Sequence, residues 1–121
     1  MQYMLLIYDD EALFARMPDN EKGAIFQDYM KFTQGIRQSG AFIAGDPLQR
    51  STTATTVRSK NGKTVTSDGP FAETKEQLGG YYLVEAKNLD DALAIAAQIP
   101  SVRVGGAVEV RPVMQMGPPK A

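Results

Sequence analysis

The chain has no histidine and no cysteine among its 121 residues. Without histidine it cannot form a Ser-His-Asp hydrolase or a histidine-ligated metal centre, and it loses the commonest general base near neutral pH. Without cysteine there is no disulfide, no thiolate nucleophile and no zinc–cysteine site. An excess of charge of one sign is also missing: 13 Lys and Arg stand against 14 Asp and Glu, for a net charge of −1. No broad positive field exists to hold phosphates, so direct nucleic-acid binding is not expected. The first apolar run stops at Asp9, far short of the ~20 residues of a membrane-spanning helix. Met1-Gln2-Tyr3-Met4 shows neither the basic region nor the cleavage site of a signal peptide, so the expected location is the cytoplasm, with no membrane partner.

What is present fits one folded domain. Hydrophobic residues make up 43% and charged residues 22%, both ordinary for a globular chain, and the length leaves no room for a second core. Residues 1–114 are expected to form the domain and 115–121 a flexible tail.

Gln2 to Tyr8 is apolar at both alternating sets of positions, as in a central strand covered on both faces. Asp9, Asp10 and Glu11 then precede Ala12 to Arg16. The plain reading places these acids at the positive end of a short helical turn. The alternative, an oxygen-ligand site for a divalent cation, lacks further ligands at calcium-loop spacing, and neither a metal site nor a cofactor is expected. From Asp19, read as an N-cap, Ile25, Tyr29, Phe32 and Ile36 recur at helical spacing up to Gly40. Ala41 to Ala44 reads as a second strand, followed by a turn at Gly45-Asp46-Pro47-Leu48.

Thr52 to Arg58 and Thr64 to Ser67 read as a hairpin around Asn61-Gly62. It is polar on both faces and is expected as an edge or as an arm over a partner. Tyr81 to Ala86 is another strand, and Asn88 with Asp90 and Asp91 opens a helix with Ala92, Leu93 and Ala96 as its buried stripe. Ala107 to Val113 closes the chain as a strand with Val108 and Val110 on one face and Glu109 and Arg111 on the other. Two strand–helix–strand units with an inserted hairpin give an α+β, ferredoxin-like split βαβ fold: an antiparallel sheet with two helices on one face.

Asp68-Gly69-Pro70-Phe71-Ala72-Glu73-Thr74-Lys75-Glu76-Gln77-Leu78-Gly79-Gly80-Tyr81-Tyr82 is the least generic stretch. It starts with a turn tripeptide and ends with a glycine pair opening a strand. Together with Tyr3 to Tyr8, Ala44 to Leu48, Thr53 to Arg58 and Val108 to Pro112, it resembles the DGPF signature of the YCII-related family. The resemblance covers nearly the whole chain. It implies a ferredoxin-like fold that pairs into a dimeric α/β barrel, with a second subunit enclosing a cavity against the free sheet face. It also implies a link to extracytoplasmic-function sigma factors, which keeps a non-catalytic accessory role open. Catalytic relatives look like they use a His and Asp pair, of which this chain can supply only the Asp.

On that footing the chain is expected to be a homodimer binding a small organic molecule, or alternatively a cofactor-free enzyme. Asp68 is the acid/base candidate, at a turn where a carboxylate can be partly desolvated, against a plain role in shaping the turn. Glu73 is placed beside it to share or orient a proton, against a solvated loop charge. Arg111 can hold a carboxylate in its planar fork, against an ion pair with Glu109. Phe71 either walls the cavity or anchors its loop in the core, and Tyr8 and Tyr82 offer phenol donors that backbone groups could equally satisfy.

Overall fold

A computed structural model describes residues 1–116, so most of the tail expected over 115–121 lies outside the described residues. Six strands and three helices follow in the order β1 (Gln2–Asp9), α1 (Glu11–Ala15), α2 (Asp19–Gln38), β2 (Phe42–Pro47), β3 (Thr55–Lys60), β4 (Lys63–Asp68), β5 (Gln77–Glu85), α3 (Leu89–Ala96) and β6 (Ala107–Pro112). The main sheet has the order β2-β5-β1-β6, every pairing antiparallel. Because β5 lies between β1 and β2, the first strand–helix–strand unit is split, as in a ferredoxin-like fold. Strands β3 and β4 form a separate two-stranded ribbon.

The core lies on one side of the sheet. Tyr3, Leu5 and Ile7 of β1 and Tyr82 and Val84 of β5 meet Phe32 and Ile36 of α2, Ala92 and Ala96 of α3, and Ile99 beyond α3. Leu5, Val84 and Ile99 are wholly sealed from water. The other face carries Met4, Leu6 and Tyr8 of β1, paired across the ladder with Leu83, Tyr81 and Leu78 of β5. No helix contributes a side chain there, and Met4, Leu6 and Tyr8 are only half-buried. Strand β1 therefore has the two apolar faces that its sequence shows, but this chain covers only one.

Local signals account for most boundaries. Asn61 and Gly62 both have positive φ, 52° and 77°, as the two-residue turn of a hairpin requires. Asn88 caps α3 by accepting from the Asp91 amide at 2.9 Å, and the Asp91 carboxylate answers by accepting from the Lys87 amide at 3.0 Å. Asp10 caps α1 by accepting from the Leu13 amide at 3.1 Å, which realises the plain reading of that acid. Asp19 is the first helical residue of α2 and Pro18 the cap, since proline's fixed φ suits that entry.

Three expectations need correction. Gly45 to Pro47, read as a turn, belong to β2, pairing with Tyr82, Tyr81 and Gly80. Proline is tolerated because β2 is an edge strand. In the ribbon, β3 is shifted towards the turn relative to the Thr52–Arg58 expected, and β4 extends the expected Thr64–Ser67 by one residue at each end. Leu93 is 46% exposed, because the buried stripe of α3 runs through Ala92, Ala96 and Ile99 instead. Among the described residues no helix is long and apolar enough to cross a membrane.

Leu5→Ala is expected to destabilise the fold by about 2–5 kcal/mol in urea unfolding, whereas Phe71→Ala, on an exposed loop, should stay within about 0.5 kcal/mol.

Candidate functional site

The loop from Gly69 to Glu76 closes over one end of the sheet. Its start is pinned to the ribbon: the Gly69 amide donates to the Ala54 carbonyl at 2.7 Å, and the Thr56 hydroxyl donates to the Gly69 carbonyl at 2.8 Å. Its end is pinned by Gln77, whose side-chain amide donates to the Thr74 carbonyl at 2.7 Å and accepts from the Glu11 amide at 3.1 Å. Glu11 also accepts from the Ser51 amide at 2.8 Å and the Ser51 hydroxyl at 2.6 Å. One glutamate thus ties α1, the turn at Ser51–Thr53 and the start of β5 together. Charge-assisted bonds of this kind are stronger than neutral ones.

Two clefts lie on either side of this clamp. The first, of about 410 Å³, is lined by Ser51, Thr52, Asp68, Glu73, Thr74 and Gln77, with Gly69 and Pro70 at its rim. The second, of about 260 Å³, is lined by Asp9, Glu11, Phe14, Lys22, Arg50 and Gly79 among others. Asp9 closes its sheet end. A Cβ added at Gly79 would come within 2.8 Å of one Asp9 carboxylate oxygen, and one at Gly106 within 3.0 Å of the other. Glycine at both positions is what leaves room for the Asp9 side chain.

The six side chains singled out in the sequence fall in different places. Asp68 and Glu73 both line the first cleft, and both are exposed. Phe71 lies outside the core and does not line either cleft. It is 74% exposed, with the Arg58 guanidinium 4.9 Å from its ring centroid. Tyr82 points to the helices, where its hydroxyl shares a 2.6 Å hydrogen bond with Thr33 and its ring packs edge-on to Phe32 at 5.1 Å. Burial there pushes the Tyr82 hydroxyl up from its ordinary value. Tyr8 and Arg111 lie on the open face of the sheet. Arg111 donates to Glu109 at 2.7 Å, the ion pair weighed against ligand recognition, and that bond raises the guanidinium's proton affinity further.

Three groups were missed. Glu11 reads in sequence as a helix-start acid or, alternatively, a cation ligand, and its clamp on Ser51 joins residues forty positions apart, which no local pattern reveals. Asp9 was read in the same way. Tyr29 was read as core, but its hydroxyl shares a 2.5 Å hydrogen bond with buried Ser101. Burial, with Asp9 nearby, pushes Tyr29 up to about 12.

An antiparallel split-βαβ sheet with helices on one face and polar clefts at one end defines the class as an α+β, ferredoxin-like domain. Comparison with known proteins places it more closely: the YCII-related domain matches residues 1–117, and the chain belongs to that family. An uncharacterized protein of Rhizobium meliloti (strain 1021) is 35% identical over 114 residues, covering 93% of this chain and 92% of the relative. Among solved structures, 5-chloro-2-hydroxyhydroquinone dehydrochlorinase from Burkholderia phenoliruptrix AC1100, in complex with 2,5-dihydroxybenzoquinone, superposes with a TM-score of 0.55 over 96% of each chain. At 14% identity that likeness concerns the fold.

Tyr29 generates a pH prediction. The folded protein keeps its phenol proton up to about pH 12, while an unfolded chain releases it near 10. The associated stability is fully present below about pH 10 and is lost as pH rises towards 12, because the unfolded state then binds fewer protons. Urea midpoints should fall across that window, and less steeply in Tyr29→Phe. At pH 7 the same variant should lose about 1–3 kcal/mol by stranding the Ser101 hydroxyl.

Proposed function

We propose that this protein binds a small organic molecule in the first cleft, with Asp68 and Glu73 as its ionisable groups. The observation that carries this reading is their convergence on one cleft of about 410 Å³, within the usual ligand-pocket range of roughly 300–1,000 Å³. Ser51, Thr52, Thr74 and Gln77 supply hydroxyl and amide groups around it, a lining suited to fixing the orientation of a polar ligand. Two carboxylates on one cleft can hold a cationic or hydroxylated group and exchange a proton with it. A cofactor-free proton transfer with Asp68 as the acid or base is therefore the enzymatic form of the same reading. The complex of the dehydrochlorinase with a dihydroxybenzoquinone belongs to that protein, and is an instance of this fold accommodating a small organic ligand.

We further propose a homodimer formed through the open sheet face. Met4, Leu6 and Leu83 form its half-buried apolar centre, and Tyr8 and the Glu109–Arg111 pair lie beside them. An apolar patch with a charged surround is the usual composition of a subunit interface. Tyr82, which faces the helices, has no part in this arrangement.

The test is a fragment screen by amide NMR, using a library of small amines, phenols and carboxylic acids. Compounds that bind should shift Ser51, Thr52, Gly69 and Thr74 in the wild type. Asp68→Asn keeps the turn, so it should cost no more than about 1 kcal/mol of stability, and it should weaken those hits. Hits that bind Asp68→Asn unchanged, or a library that never perturbs these residues, would remove the first cleft as the site.

A further inference from the structure

We propose that the second cleft is a separate binding site for a small carboxylic acid with an apolar body and one hydrogen-bond donor, such as a single-ring hydroxy acid. It stands apart from the Asp68–Glu73 cleft and does not require that reading to hold. The argument starts from a charge inventory. The ion pairs among the described residues occupy the N-terminus, Arg103 and Arg111. Lys22 and Arg50 pair with no carboxylate, although both line a cleft that also holds Asp9 and Glu11.

Each charge in the cleft has a distinct position. Glu11 is committed to the Ser51 amide and hydroxyl. Lys22 sits over the Phe14 ring, 5.2 Å from its centroid. Asp9 is lodged against Gly79 and Gly106 at the sheet end and accepts no hydrogen bond among the described residues. Phe14 and Leu48 line the same space and leave large apolar surfaces exposed, at 43% and 48%.

These features specify complementary chemistry. The planar fork of Arg50, with the point charge of Lys22, suits a carboxylate. Phe14 and Leu48 suit an apolar ring. A ligand carboxylate would be repelled by Asp9, whereas a hydroxyl would donate to it in place of solvent. The ligand is therefore oriented with its anion at Arg50 and Lys22 and its donor at Asp9. The volume of about 260 Å³ falls just below the common range for drug-sized ligands and limits the body to about one ring.

The test is an NMR titration of the whole protein with 4-hydroxybenzoate, benzoate and phenol at millimolar concentration. 4-Hydroxybenzoate should shift the Phe14, Leu48 and Gly79 amides saturably and bind more tightly than either comparator. Arg50→Gln should weaken it by about fivefold or more. Asp9→Asn should shrink its advantage over benzoate, while Asp68→Asn, in the other cleft, leaves the affinity unchanged. The proposal fails if phenol binds as well as 4-hydroxybenzoate, if Arg50→Gln leaves the affinity unaltered, or if no saturable shift appears at these amides. Arg50 is an exposed loop residue, and its variant's amide spectrum reports separately that the fold is kept.

Discussion

The constraint on which this structure depends is that a single sheet has two faces and the chain's helices cover one. Leu5, Val84 and Ile99 are sealed beneath α2 and α3, and burial of this kind supplies most of the stability of a small domain. Met4, Leu6 and Leu83 sit on the reverse of the same strands without a covering layer. Among the described residues, α2 and α3 pack on the one side only. The second layer we propose is another copy, which supplies an identical face by symmetry.

The site follows from the same architecture. The sheet's packed side fixes where β1 and β5 end, and those ends place Asp9 and Gln77 side by side in the ladder. Glu11 and Gln77 then tie down the Gly69–Glu76 loop from one side while the ribbon holds it from the other. The clefts are consequently built from loop residues supported at both ends by rigid strands, the usual way in which a fold presents variable chemistry. The two clefts differ in character because the charged residues lining one are Asp68 and Glu73, whereas the other sets Lys22 and Arg50 beside Asp9 and Glu11.

Much of the fold was legible because its signals are local. Asn61-Gly62 and the Asn88 cap each act within a few residues, and strand alternation shows directly in β6. Which face of a strand meets the helices is a tertiary matter. Tyr82 shares its parity with Val84, but β1 is apolar on both faces, so alternation alone could not assign Tyr82 to the helices. Leu93 reads as part of the buried stripe of α3 beside Ala92 and Ala96. Geometry instead favours Ala92 and Ala96, whose small side chains allow α3 to approach the sheet closely. Phe71, which as an aromatic could wall a cavity or anchor its loop, follows Gly69-Pro70 and lies on the surface beside Arg58. Asp68 and Glu73 line one cleft, as residues so near in sequence readily can. The Glu11–Ser51 clamp was not, because only the folded sheet brings its partners together.

The open face provides the most direct test of this account. Light scattering at micromolar concentration should return twice the chain mass for the wild type. Leu6→Lys, which places a charge at the centre of that face, should return the mass of one chain while its circular dichroism stays native. A wild-type protein that elutes at the single-chain mass, or a Leu6→Lys variant that remains dimeric, would contradict it.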